Sequence, residues 1–118
     1  MKNIIVTPGN YVEISTHELM FISNSGQPYR GVLGIQYITK SKAIEFISLK
    51  KYVESLRRTT CNLEDIAKLI YDNINEELDN NTLKVTVRTT PRGGFSTTVI
   101  HGDTSHAPIE IKPIVFGG

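Results

Sequence analysis

The sequence predicts an α+β fold: an antiparallel sheet with two helices on one face. Three observations predict it. Apolar and polar residues alternate in two separate stretches, at Leu33, Ile35 and Tyr37 and again at Leu83, Val85 and Val87. At Ser48 the period changes, and Leu49, Tyr52, Val53 and Leu56 fall on one face of a helix. A second helical stripe follows at Leu63, Ile66, Ala67, Ile70, Ile74 and Leu78. The order strand, strand, helix, helix, strand, strand then places both helices on the same side of one sheet.

The elements follow in order. Residues 1–11 read as an arm, with Ile4, Ile5 and Val6 before the turn Thr7-Pro8-Gly9-Asn10. Val12 to Ser15 is expected as a short strand, and Asn24-Ser25-Gly26-Gln27-Pro28 as a loop. Val32 to Thr39 is expected as a strand. Lys40-Ser41-Lys42 turns it into a second, Ala43 to Ile47, to form a β-hairpin. Ser48 is expected to cap the first helix, and Arg57 and Arg58 stand at its C-terminal end, where the helix dipole favours cations. Thr59-Thr60-Cys61-Asn62 breaks the pattern. Asn62 or Thr60 caps the second helix, and Glu64 and Asp65 occupy its first turn, where the dipole favours anions. Asp79-Asn80-Asn81 ends it. Leu83 to Arg88 reads as a half-buried strand, Arg92-Gly93-Gly94 interrupts it, and Phe95 to His101 is extended again. The tail, with Ile109, Ile111, Ile114, Val115 and Phe116, adds a strand or docks on a neighbouring subunit. The chain reads as one domain, 1–118, with an arm at about 1–11 and a tail at about 102–118.

Charge bounds the partners. Thirteen Lys and Arg against twelve Asp and Glu leave a formal charge of +1, which gives no electrostatic footprint for nucleic acid or a membrane surface. The single cysteine, Cys61, excludes an intramolecular disulfide and fits a reducing compartment. The opening MKNIIVTPGN has only a short apolar run, so it reads as neither signal peptide nor membrane span. A soluble cytoplasmic protein is expected. A small sheet leaves edges to cover, so a cyclic homo-oligomer is expected as well.

Three pieces of sequence carry chemistry: Glu45-Phe46-Ile47-Ser48-Leu49-Lys50-Lys51-Tyr52, Glu64, and Thr90-Pro91-Arg92-Gly93-Gly94. Taken alone, each has a plain reading. Tyr52 shares the helix stripe and packs in the core, while Lys50 and Lys51 are a solvated face. Glu64 is a first-turn glutamate, and Arg92-Gly93-Gly94 is a turn. In this order and at about this separation, however, they resemble the NADPH-dependent 7-cyano-7-deazaguanine reductases, the QueF family. The resemblance covers roughly residues 18–100. It implies a tunnelling fold, ββααββ, whose members assemble through sheet edges into rings or barrels. It implies that Glu64 clamps the N–H edge of a purine, 7-deazaguanine or pterin at a subunit interface. A carboxylate can accept two parallel N–H bonds, and such charge-assisted bonds are strong. On the same grounds Glu45 and Leu63 fall on substrate-binding positions, and Lys50, Arg92, Gly93 and Gly94 on positions linked to NADPH.

The departures matter as much as the agreements. The reductases carry a nucleophilic cysteine shortly before a Thr-Gly-Gln-Pro-Asp run, and it attacks the nitrile carbon to form a thioimide. Here the run is Ser25-Gly26-Gln27-Pro28-Tyr29. The cysteine position falls on Ile22, or on Ser23 with a one-residue gap, and the aspartate position on Tyr29. The histidine that precedes the clamp glutamate is Leu63, and Ile47 replaces the first motif lysine. A serine hydroxyl is a weak nucleophile without an adjacent base. Cys61, three residues before Glu64 at a helix start, is the other candidate, since a helix N-terminus lowers a thiol pKa. His17, His101 and His106 have no metal-ligand spacing. The leading expectation is a binder of a guanine-like base without nitrile reduction. An enzyme of 7-deazaguanine metabolism with a displaced nucleophile and a purely structural ring protein stay open.

Overall fold

A computed structural model describes residues 1–89 and 95–105. Two sheets form. The main one has four antiparallel strands in the order β2 (Tyr11–Ile22), β3 (Pro28–Ile38), β5 (Lys84–Thr89) and β6 (Thr98–Gly102). A small one pairs β1 (Asn3–Ile5) with β4 (Lys42–Ile44). Helices α1 (Phe46–Ser55) and α2 (Leu63–Leu78) are joined through a 3₁₀ turn, Leu56–Arg58. The α+β class and the two central helices stand as the sequence predicts.

The core lies between one sheet face and the helices. Ile66, Ala67, Ile70 and Ile74 of α2 are fully buried against Leu33, Ile35, Val85 and Val87. α1 adds Leu49 and Val53 over the β2 side. α2 ends at Asp79, which takes a left-handed conformation (φ 45°) and donates its N–H to Asn75 O.

Three expectations are corrected. The first concerns the hairpin. Val32–Thr39 does not pair with Ala43–Ile47; β3 pairs with β2 and β5, and β4 stops at Ile44 to pair with the arm. The hairpin turn is therefore 23–27. Secondly, β2 is 12 residues long rather than a short strand at Val12–Ser15. A bulge between Thr16 and Leu19 shifts its register. Val12 and Ile14 face the helices before it, and Leu19 and Phe21 after it, so the apolar alternation changes phase and only the first part of the strand is legible. Thirdly, β5 is not half-buried. Lys84 is 2% and Thr86 4% exposed on the face away from the helices.

One end of the sheet is closed by a polar network. Thr39 exchanges backbone bonds with Gly9 and Asn10, and its hydroxyl donates to Thr7 O at 2.8 Å. Asn80, 1% exposed, donates to Ile38 O at 2.7 Å and accepts from Thr82 N at 2.9 Å. A buried amide keeps its cost low only when its donors and acceptors are met, as here.

Candidate functional site

The opposite end carries Glu64, at the start of α2. The hairpin turn after β2 and the segment before α2 run side by side. Ile22 N–H donates to Thr59 O and Cys61 N–H donates to Ile22 O, both at 2.9 Å, which makes a parallel bridge between Ile22 and Thr60. Asn24 Nδ2 donates to Asn62 Oδ1 at 2.5 Å and ties the turn to the start of α2. Asn62 is the N-cap by backbone position, but its side chain makes no capping bond; it serves the hairpin instead. β5 ends at this same end, at Thr89. Arg92, Gly93 and Gly94 lie outside the described residues, as do His106 and the tail from Ile109 to Phe116.

Glu64 is exposed in the first turn of α2, next to that bridge. It makes no hydrogen bond or ion pair among the described residues. Its carboxylate is available as an acceptor.

Ser23 is not. It is buried, its hydroxyl lies 2.8 Å from Ser25 Oγ, and it accepts from Gln27 N–H at 3.1 Å. These bonds shape the turn. Side chains alternate along a strand. Phe21 and Ser23 are buried, so Ile22 and Asn24 face the other way.

Cys61 alternates with Thr60 in the same manner and packs against the core cluster. Its thiol is pushed up by burial, and the Asp65 carboxylate adds to the rise. This corrects the expectation of a lowered thiol pKa. The helix N-terminus is present, but desolvation and a neighbouring anion outweigh it. The thiol is therefore held as a thiol, the poor nucleophile of the pair.

Glu45 is separated from Glu64, since the two stand at opposite ends of α1 and its 3₁₀ turn. It caps α1: its carboxylate accepts from Ile47 N–H at 3.0 Å and Ser48 N–H at 2.8 Å. The bond from Ser48 N–H is the main cause of its lowered pKa. The predicted cap, Ser48, is inside the helix, and its hydroxyl donates to Glu45 O. Glutamate ranks low among capping residues, so no simple signal marked it. Lys50 is exposed and lines a cleft of about 460 Å³ between α1 and the β2–β3 face. Glu64 does not line that cleft.

The fit to NADPH can be tested on these residues. Ile47, 64% exposed, stands where the motif's first cation would be, and Glu45 is engaged as a cap. Among the described residues, the Glu45–Tyr52 segment does not make a phosphate cradle within one chain.

Among the described residues no three His, Cys, Asp or Glu side chains come together to hold a metal. His17 sits in the β2 bulge, and His101 packs edge-on against Tyr71 at 4.8 Å. No helix among them is long and apolar enough to cross a membrane.

A family model described as QueF-like protein matches residues 28–108, more than half of the chain. The chain belongs to the QueF-like family. The 7-cyano-7-deazaguanine reductase of Methylobacillus flagellatus is 34% identical over 76 residues, which is 64% of this chain and 55% of that protein. The reductase of Thermotoga maritima is 34% identical over 94 residues, 78% of this chain and 69% of that protein. The chain thus spans about half to two thirds of the length of these relatives. Among solved structures, the archaeosine synthase QueF-Like in its apo form superposes with a TM-score of 0.75 at 19% identity, covering 87% of this chain and 100% of that one. The fold is the tunnelling fold of the QueF-like proteins.

The QueF-like match begins at Pro28, the first residue of β3 and just past the 23–27 turn. Inside it, Tyr29 stacks on Phe21 with ring centroids 5.3 Å apart. Leu63, like Tyr29 and Cys61, packs against the core cluster. Tyr29 and Leu63 thus contribute packing.

Proposed function

We propose that this QueF-like chain binds a 7-deazaguanine, purine or pterin through Glu64 without reducing a nitrile. One observation carries the reading: the glutamate is kept, exposed and without a partner among the described residues, while the positions around it that would do covalent work hold Ile22, Tyr29 and Leu63. The carboxylate can take two ring N–H donors. Ile22 presents no nucleophile, Ser23 Oγ is engaged in its own turn, and Cys61 is turned to the core. Thioimide formation needs a thiolate at the nitrile carbon, and no described side chain at this end supplies one.

In one chain Glu64 faces solvent, so the ligand's far side would be walled by a second copy. The reading therefore includes a homo-oligomer with sites at the seams. It includes neither nucleic acid nor membrane as partner.

The test is to incubate the protein with 7-cyano-7-deazaguanine and NADPH. Equilibrium dialysis should show the base retained, with no base-dependent NADPH oxidation and no covalent adduct by intact mass. NADPH oxidation that is lost in Cys61→Ala would overturn the non-catalytic part and make Cys61 the displaced nucleophile. No retention of guanine, 7-deazaguanine or pterin would leave the structural ring protein.

A further inference from the structure

The solvent side of the end that carries Glu64 is built from two stretches of chain. Ile22 and Thr60 are bridge partners, and side chains alternate outward from them. Cys61 and Leu63 pack against the core cluster, while Thr60, Asn62 and Glu64 are exposed. On the hairpin side Ser23 is buried and Asn24 is exposed. Asn24, Asn62 and Glu64 therefore share one side of the molecule.

One bond among them sets an orientation. An asparagine amide has a donor side, Nδ2, and an acceptor side, Oδ1. Asn24 Nδ2 donates to Asn62 Oδ1 at 2.5 Å. Asn62 spends neither atom on capping α2, although it stands at the N-cap. With its acceptor side held by Asn24, Asn62 presents Nδ2 as a donor, and that donor makes no hydrogen bond among the described residues. A donor and an ionisable acceptor, Glu64, thus lie two residues apart, with Cα atoms no more than about 7 Å from each other.

We propose that Asn62 is a specificity-determining residue of the Glu64 site. Its Nδ2 donates to the ring oxo group of the bound base, and Asn24 is a positioning residue that holds the amide with this side outward. The inference rests on the reading of Glu64 as the clamp. The edge of a guanine-type base runs oxo oxygen, ring N–H, amino N–H. The Glu64 carboxylate accepts from the two N–H groups and leaves the oxo oxygen, an acceptor, to be met by a donor. A carboxylate alone does not distinguish an oxo base from an analogue with the same two N–H groups. A site that donates to the oxo group does, because a poor acceptor leaves the donor unpaired against the ligand.

The test titrates 7-deazaguanine and its 6-thioxo analogue by calorimetry. The analogue keeps both N–H donors and replaces the oxygen with a sulfur that accepts poorly. Wild type should bind the oxo base about tenfold more tightly, the worth of one hydrogen bond. Asn62→Ala should bind the two bases alike, with the oxo base losing that same factor. Asn24→Asp is the sharper variant, since a carboxylate only accepts. It takes Asn62 Nδ2 and turns Oδ1 outward, so the oxo base should weaken more than the thioxo base while the re-formed bond holds the melting temperature. Glu64→Gln should weaken both bases and keep the preference. Melts by circular dichroism check folding, and should Asn62→Ala unfold, Asn24→Asp supplies the same reading. A preference that survives in Asn62→Ala or Asn24→Asp, or no preference in wild type, would overturn this inference and leave Glu64 as the clamp. Failure of wild type to bind either base would overturn the Glu64 reading, and this one with it.

Discussion

At one end of the sheet, Thr39 and Asn80 are buried and bonded to the backbone around them. At the other, Asn24, Asn62 and Glu64 are exposed, and Glu64 has no partner among the described residues. Both ends use small polar side chains at strand and helix junctions. The closed end satisfies every bond it makes internally, so its residues hold the loops together. The open end ties its backbone together through Ile22, Thr59 and Cys61, which leaves a carboxylate for something else. Polar side chains are bonded internally at one end and, at Glu64, left open among the described residues at the other.

The comparison can be broken most easily at the closed end. Asn80→Ala removes a fully enclosed amide and leaves Ile38 O and Thr82 N–H with weakened or missing partners. We expect a loss of about 2–4 kcal/mol, read from urea unfolding. A change under about 0.5 kcal/mol would mean that the network is not the fastening described here.

At the open end, restoring reductase residues should cost stability before it gains chemistry. Tyr29→Asp removes the stack on Phe21 and places a carboxylate against the core, a loss on the order of 2–3 kcal/mol. Ile22→Cys by itself should fold and yet oxidise no NADPH with the 7-cyano base, because Tyr29 and Leu63 still fill the other positions. Turnover in that single variant would show that the packing residues are no obstacle.

Ser23→Ala sharpens the distinction. It deletes the acceptor for Gln27 N–H and the bond to Ser25, for about 1 kcal/mol, while the carboxylate of Glu64 stays in place. A stability loss with ligand binding kept within a few-fold is the expected pair of results from urea titration and dialysis.

The smallest effect is at Glu45. Its carboxyl pKa is lowered in the fold by the bond from Ser48 N–H, so its contribution is present above the unfolded pKa and fades as pH falls through the folded one. Glu45→Gln should melt below wild type at neutral pH, and the gap should narrow only as pH falls below the ordinary glutamate range, through the lowered folded pKa. Melting curves across pH 3–7 read this directly; parallel curves would mean that the cap carries no charge effect.

Much of this was legible in the sequence. α2 and the core pattern of β3 and β5 follow from period alone, because an amphipathic face shows in apolar spacing. The position of Glu64 at a helix start was legible for the same reason. The β2–β3 hairpin was hidden by the bulge at Thr16–Leu19, which shifts apolar parity. The burial of Gln36, Lys84 and Thr86 was hidden by their polarity, which reads as a solvent face. The direction of Cys61 was hidden because it depends on a bridge to Ile22, far away in sequence. Pairing between distant segments sets such directions, and residue spacing does not carry it.

The central claim is that Glu64 is an acceptor kept for a guanine-like edge at an end that has lost its covalent chemistry. Calorimetric titration of 7-cyano-7-deazaguanine into wild type and Glu64→Gln tests it most directly. The account predicts binding to wild type and at least about a hundredfold weaker binding to the variant, at about 1.4 kcal/mol per tenfold, with the melting temperature of the free protein nearly unchanged. Equal affinity in the two proteins, or no binding to wild type, would contradict it.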